Sequence, residues 1–137
     1  MLHDLGLCDA HASDPGSFEW VGARLAHAFC LDTAQTEARG ATVHNAIALH
    51  TSMGIADRCQ PEIALLHFGT GMDLFGMRLD EIDKESLELV LADHPRGAFR
   101  AEFSPCLSHQ AQLKPNSQIA GAVGIGIIDR IKEELVR

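Results

Sequence analysis

Apolar residues recur at three- and four-residue spacings along most of this chain, and the strict alternation that marks a strand is sustained nowhere. Over residues 17–31, Phe18, Val21, Leu25, Ala28 and Phe29 form one stripe. Ser17 is placed to cap that helix, and Glu19 falls in its first turn, where negative charge suits the helix dipole. A second helix is predicted over 33–49, weakened in the middle by Gly40. Its stripe runs Val43, Ile47, His50, so a histidine stands where the next apolar side chain is expected. Thr51, Ser52 and Gly54 then break the helix, and Pro61 opens a third, because proline's missing N–H has no helical partner at the first position.

The third helix, PEIALLHFGTGMDLFGM, has the most informative pattern. Ile63, Leu66, Thr70 and Asp73 share a face, which predicts a carboxylate on the buried stripe. An ionised Asp in apolar surroundings is costly unless a cation compensates it. Gly69 and Gly71 each cost about 1 kcal/mol in a helix interior, which predicts close approach of another element. Asp83 or Ser86 starts a fourth helix with Leu87, Val90 and Leu91, stopped at His94-Pro95. Residues 97–113 carry Phe99, Phe103, Leu107 and Leu113 at helical spacing, interrupted or restarted at Pro105. The last helix follows Pro115 with Asn116 or Ser117 as cap, and Ile119, Val123, Ile127, Ile131 and Leu135 form a four-residue repeat along it. The fold class is therefore all-α, a bundle of about six helices.

With 137 residues, 46% of them hydrophobic, the chain can form one domain that buries roughly two thirds of its unfolded surface. A formal net charge of −8 offers no basic face for a phosphate backbone, so nucleic acid is not an expected partner. No run approaches the roughly eighteen apolar residues of a membrane span, and no secretion signal is visible, so the chain reads as soluble, cytoplasmic and without a membrane partner. Cys8, Cys30, Cys59 and Cys106 lie far apart with no C-x-x-C pair, which predicts buried reduced thiols.

The candidate chemistry starts with MLHDLGL, residues 1–7. His3 and Asp4 are adjacent, flanked by apolar residues, with Gly6 where a helix would stop. Imidazole and carboxylate together suit a divalent ion that takes nitrogen and oxygen ligands. Adjacent helical side chains point about 100° apart, so such an ion takes its other ligands from other elements. His50 and Asp73 are the matched candidates. Each has a plainer alternative: a His-Asp dipeptide is common, a lone histidine on an apolar stripe is usually a satisfied core residue, and an arginine or helix cap can partner Asp73. GAVGIGIIDR, near the C-terminus, has no preceding strand and reads as small residues that let helices pack rather than a phosphate loop. His11, His27, His44, His67, His94 and His109 exceed what one site uses. His67 lies about 240° around the helix from Asp73, so those two cannot share an ion from one face.

LHDLGL, AIALHTSMGIA and PEIALLHFGTGMDLFG, in that order, resemble the HD superfamily of metal-dependent enzymes, and its cyanamide hydratase-like branch most closely, over residues 1 to about 115. The resemblance implies an all-helical HD bundle holding a divalent ion, zinc or iron with manganese as a further option. The ligands of that family are a first histidine, the His-Asp doublet and a final aspartate. Carried over by motif, His3 and Asp4 are the doublet, Asp73 is the final aspartate, and His50 is a further ligand or a catalytic hydrogen-bonding group. The family's first histidine lies upstream of the doublet, so the expected bundle is N-terminally truncated, with three protein ligands or one borrowed from elsewhere. The ion lowers the pKa of its water from about 15.7 toward 7. The implied reaction adds that water to the nitrile carbon of a small substrate, cyanamide to urea, with Asp4 or His50 moving the proton and Thr51 orienting substrate.

Two alternatives stand beside this expectation. Other HD proteins are phosphohydrolases, cleaving phosphomonoesters or nucleotides, and a phosphate calls for Lys or Arg. No Lys or Arg precedes Arg24, while Asp9, Asp14 and Glu19 follow the doublet closely. That favours a small neutral molecule, with Arg58, Arg78 and Arg96 as the residues that could fold into the site. A non-catalytic HD protein is the other alternative. Loss of a covering helix would expose apolar faces, which predicts a homo-oligomer.

Overall fold

The computed structural model describes residues 2–133 and 135. Among the described residues there are six α-helices joined by turns and short 3-10 segments, and no strand. Helix α1 spans Phe18–Asp32, α2 Glu37–Leu49, α3 Pro61–Phe75, α4 Lys84–Asp93, α5 Phe99–Leu113 and α6 Gln118–Gly124. None of them is long and apolar enough to cross a membrane.

Helix starts follow local chemistry. The Ser17 hydroxyl accepts from the Trp20 amide, Thr36 from Arg39, Asp83 from Ser86 and Ser117 from Ala120, each satisfying an amide that the helix itself leaves free. Helix α2 begins later than the apolar pattern suggests. The chain first turns at Ala34, with φ at 58°, while the Thr33 hydroxyl donates to the Phe29 carbonyl at 2.8 Å and closes α1. Helix α5 passes through Pro105 without a break, so the predicted interruption there is corrected.

Two other expectations are corrected by packing. The predicted last helix ends at Gly124 instead of carrying its repeat through Leu135. Gly126 adopts φ of 82°, its amide bonds to the Val123 carbonyl, and the next amide, from Ile127, reaches back to Ala122 at 3.1 Å. That pair of bonds caps the helix through a left-handed glycine. Beyond a further short turn, Ile131 is extended and only 2% exposed, inserted among Phe18, Leu107 and Ile119. On α3 the buried face is Ile63, His67 and Gly71, not the line ending in Asp73. Gly71 is the predicted close approach, since a Cβ there would stand 2.8 Å from the Met77 sulfur, whereas nothing lies near Gly69.

Helix α1 packs against α2, α2 against α3, and α5 against α6. Phe18, Leu107, Ile119 and Ile131 form one apolar cluster; Ala23, Ala26 and Ile47 form another between α1 and α2. Helix α4 buries no residue. All four cysteines are free, but only Cys30 is buried, and Cys8 and Cys106 are exposed, so the expectation of buried thiols holds at one position of the four.

Candidate metal and catalytic site

The segment carrying the His-Asp pair turns back on the start of α1. Residues Leu5–Leu7 form a 3-10 turn with Asp4 ahead of it, and two glycines let this turn approach the helix backbone. A Cβ on Gly6 would lie 2.0 Å from the Phe18 carbonyl oxygen, and one on Gly22 would lie 3.0 Å from the His3 carbonyl oxygen. The Gln110 side chain, 1% exposed, donates from α5 to the Gly6 carbonyl at 3.4 Å. Held this way, His3 Nε2 stands 3.0 Å from Asp4 Oδ2. His3 Nδ1 is buried and has no hydrogen-bond partner among the described residues.

His50 closes the end of α2 and is buried. Its ring meets the His3 ring edge to face at 5.3 Å and the Phe18 ring at 5.7 Å. Nδ1 lies 2.6 Å from the Ile47 carbonyl. Nδ1–H therefore donates to that oxygen, and the neutral ring keeps its lone pair on Nε2. Burial pushes the His50 pKa below the usual imidazole value, helped by His3; the Ile47 carbonyl, Asp4 and Glu19 oppose the shift. From α3, His67 places Nδ1 2.8 Å from the His50 carbonyl, which pins the turn after α2. His67 was expected to be one histidine among many, and it is a buried support of the site.

The turn residue Thr51 follows directly. Its hydroxyl donates to Glu19 Oε1 at 2.8 Å, and its carbonyl accepts from Gln118 Nε2 at 2.8 Å. Glu19 is 3% exposed, and its second oxygen, Oε2, has no hydrogen-bond partner among the described residues. Sequence reasoning assigned Glu19 to the helix dipole and missed its burial. The signal was available: Glu19, Ala23, Ala26 and Cys30 fall at 4-3-4 spacing, and all four lie on the buried face of α1.

Asp73 is placed elsewhere. Its side chain is half exposed on the outer side of α3, with Oδ1 2.6 Å from Arg96 Nη1, and the same guanidinium donates to the Asp73 carbonyl and, at 2.8 Å, to that of Lys132. Arg96 also lies over the Phe99 ring at 4.8 Å. The expected buried carboxylate on α3 is therefore corrected to an arginine-paired surface one. The structure brings His3, Asp4, His50 and Thr51 together, adds Glu19 to them, and gives Asp73 none of the contacts that join the cluster. Among the described residues, no three His, Cys, Asp or Glu side chains already stand in position to hold a metal ion.

Fold and site together define an all-α protein with a buried imidazole and carboxylate cluster between its N-terminal turn, α1 and the end of α2. The chain matches no known family model and no curated protein.

Proposed function

We propose that this chain is a metal-dependent enzyme of HD type, close to the cyanamide hydratases, that hydrates a small nitrile to its amide, as in cyanamide to urea. The observation carrying the reading is the His3-Asp4 pair lying against the buried His50. Imidazole nitrogen and carboxylate oxygen are the donors that zinc, iron and manganese accept. His3 Nδ1 and Glu19 Oε2 are buried polar atoms with unused bonding capacity, and a cation would satisfy it. Under this reading His3 and Asp4 would hold the divalent ion, with its remaining ligands coming from elsewhere, and Asp73 drops out of the set because Arg96 already holds it. Such an ion, when bound, lowers the pKa of a water from about 15.7 toward 7.

The remaining steps belong to the chain. His50 is kept neutral by burial, and its Nε2 can take the proton that the attacking water gives up. Asp4 orients that water. As the carbon–oxygen bond forms, the nitrile nitrogen receives the proton back, and the product relaxes to the amide. The Thr51 oxygen, whose hydrogen is directed at Glu19, retains a lone pair for the substrate amino group. Two of the arginines that could have served a phosphate, Arg78 and Arg96, are engaged with Glu81 and Asp73, which favours a neutral substrate over a phosphoester. Self-association belongs to the same proposal, supported by the exposed Leu65, Leu89 and Ile125, and light scattering tests it.

The test is urea production from cyanamide by protein reconstituted with zinc, iron or manganese, beside His50→Ala. Turnover that depends on both metal and His50 supports the reading. Release of phosphate from a phosphomonoester with manganese, and no urea, overturns the choice of substrate.

A further inference from the structure

A cleft of about 450 Å³ opens between residues 12–17, which lead into α1, and residues 113–117, which join α5 to α6. Pockets of this size accept small organic molecules. Its walls include the Lys114 side chain, which takes no part in the proposed hydration. We infer that this cleft binds a small organic monocarboxylate, whose anionic head pairs with the Lys114 ammonium while its short apolar tail lies along Leu113 and Pro115. The inference is independent of the metal reading above.

Lysine is rarely withdrawn from water unless it is paired. Lys114 is 8% exposed, its ammonium is shielded from solvent, and that ammonium has no hydrogen-bond partner among the described residues. An unpaired buried charge is costly, and an entering anion removes that cost. The backbone that carries the side chain is fixed on both sides. The Lys114 amide donates to the Gln110 carbonyl at 2.9 Å, and the Lys114 carbonyl accepts from the Ser117 hydroxyl at 2.6 Å. The ammonium rides on a flexible four-carbon stem, so meeting a ligand in the cleft takes a rotation of side-chain bonds and no movement of the chain.

The other wall sets the charge of the ligand. Asp14 accepts from the Gly16 amide at 2.9 Å and from the Arg24 guanidinium. The Gly16 amide holds its carboxyl below the usual carboxylate range, burial opposes this, and Arg24 and Lys114 add to the lowering. Asp14 is therefore ionised at neutral pH, and Arg24 already matches its charge. Among the described residues lining the cleft, Lys114 carries the only positive charge, and it balances one negative charge. A dianion such as inorganic phosphate would turn a second negative charge toward Asp14, which one ammonium does not offset. The Ser13 hydroxyl and the Asn116 amide, one on each wall, supply further donors for a carboxylate.

The experiment titrates the metal-free, isotope-labelled full chain at about pH 8 with butyrate, butyramide and inorganic phosphate, following backbone amide NMR signals and the melting temperature. Butyrate should saturably shift amide signals within residues 12–17 and 113–117, with a dissociation constant of about 1 mM or below. In excess it should raise the melting temperature. Butyramide, which has the same shape without the charge, and phosphate should each bind at least about tenfold more weakly. Lys114→Met should weaken butyrate binding by at least about tenfold and, without ligand, melt at or above wild type, because an unpaired buried charge has gone. If that variant does not fold, the comparison of butyrate with butyramide on wild type decides. No saturable butyrate binding, shifts centred elsewhere, or equal affinity for butyrate and butyramide overturns the site. Undiminished binding by Lys114→Met overturns the role of Lys114, and phosphate bound as tightly as butyrate overturns the choice of a monocarboxylate. Urea production by the metal-loaded protein is untouched by any of these outcomes, so the two readings fail separately.

Discussion

Replacing Gly6 with alanine tests the packing on which the whole site depends. The new methyl carbon would be built 2.0 Å from the Phe18 carbonyl oxygen and within 2.9 Å of the Phe18 Cα, whereas ordinary contact begins near 3.4 Å. Both obstructing atoms are backbone, in the first turn of a helix whose Phe18 side chain is locked in the core. Neither can swing aside, so the turn bearing His3 and Asp4 must lift from α1. Overpacking of this kind costs about 1–3 kcal/mol, and a rigid obstruction puts Gly6→Ala near the top of that range. The smaller conformational freedom of the unfolded alanine chain returns about 0.4–1 kcal/mol, leaving a net loss of about 2 kcal/mol. With a urea slope of about 2 kcal/mol/M, the unfolding midpoint should fall by about 1 M. Gly69→Ala is the matched control. It lies inside α3 with nothing near its Cβ position, so it should gain about 1 kcal/mol and raise the midpoint by about 0.5 M. A Gly6→Ala midpoint equal to or above wild type, at unchanged slope, would refute the close approach of the turn to α1. Equal shifts at both glycines would show that propensity, not contact, governs them.

Thr51→Val removes the hydroxyl that holds Glu19 Oε1 and should cost about 1–3 kcal/mol in urea unfolding, because a buried acceptor loses its donor; a change below about 0.5 kcal/mol would show that the carboxylate does not rely on it. Because the folded-state pKa of His50 is depressed, the unfolded chain takes up its proton first as pH falls. The contribution is full above about 6.5 and declines as pH drops below that value toward the depressed folded pKa. Urea midpoints of metal-free protein at pH 7.5 and 5.5 should therefore differ more for wild type than for His50→Gln, and equal differences would refute the burial of a neutral imidazole. Arg96→Met should destabilise by about 1–3 kcal/mol, since the carbonyls it binds lose a charged donor. If the chain binds a divalent ion as proposed, Arg96→Met should leave that uptake unchanged, and weakened uptake would return Asp73 to the site.

Much of the local structure is written in short-range chemistry. Ser17, Asp83 and Ser117 mark helix starts because a side-chain oxygen satisfies an amide a few residues on, and Pro61 does so because it has no amide to satisfy. These interactions span a few residues and need no partner from afar. The orientation of α3 is different. Ile63, Leu66 and Thr70 describe a plausible apolar face, and Ile63, His67 and Gly71 describe another only part of a turn away. Periodicity cannot choose between them when a histidine and a glycine are the buried members. The choice is made by what lies opposite: Met77 needs the space at Gly71, and the His50 carbonyl needs the imidazole of His67.

By itself, the amino-acid sequence determined an all-helical chain, the positions at which most helices begin, and a first set of polar candidates, His3, Asp4, His50 and Thr51. Tertiary structure decided which carboxylate accompanies them. Asp73 was read inward by its spacing and instead lies half exposed, paired with the largely buried Arg96. Glu19 was read only as a first-turn charge suited to the helix dipole, and it is buried because α1 is covered there by the turn around Gly6 and by Thr51. Burial is a property of what packs against a residue, often from far along the chain, whereas capping and periodicity are properties of its near neighbours. That difference in range is why the helices could be read from the sequence and the acid of the site could not.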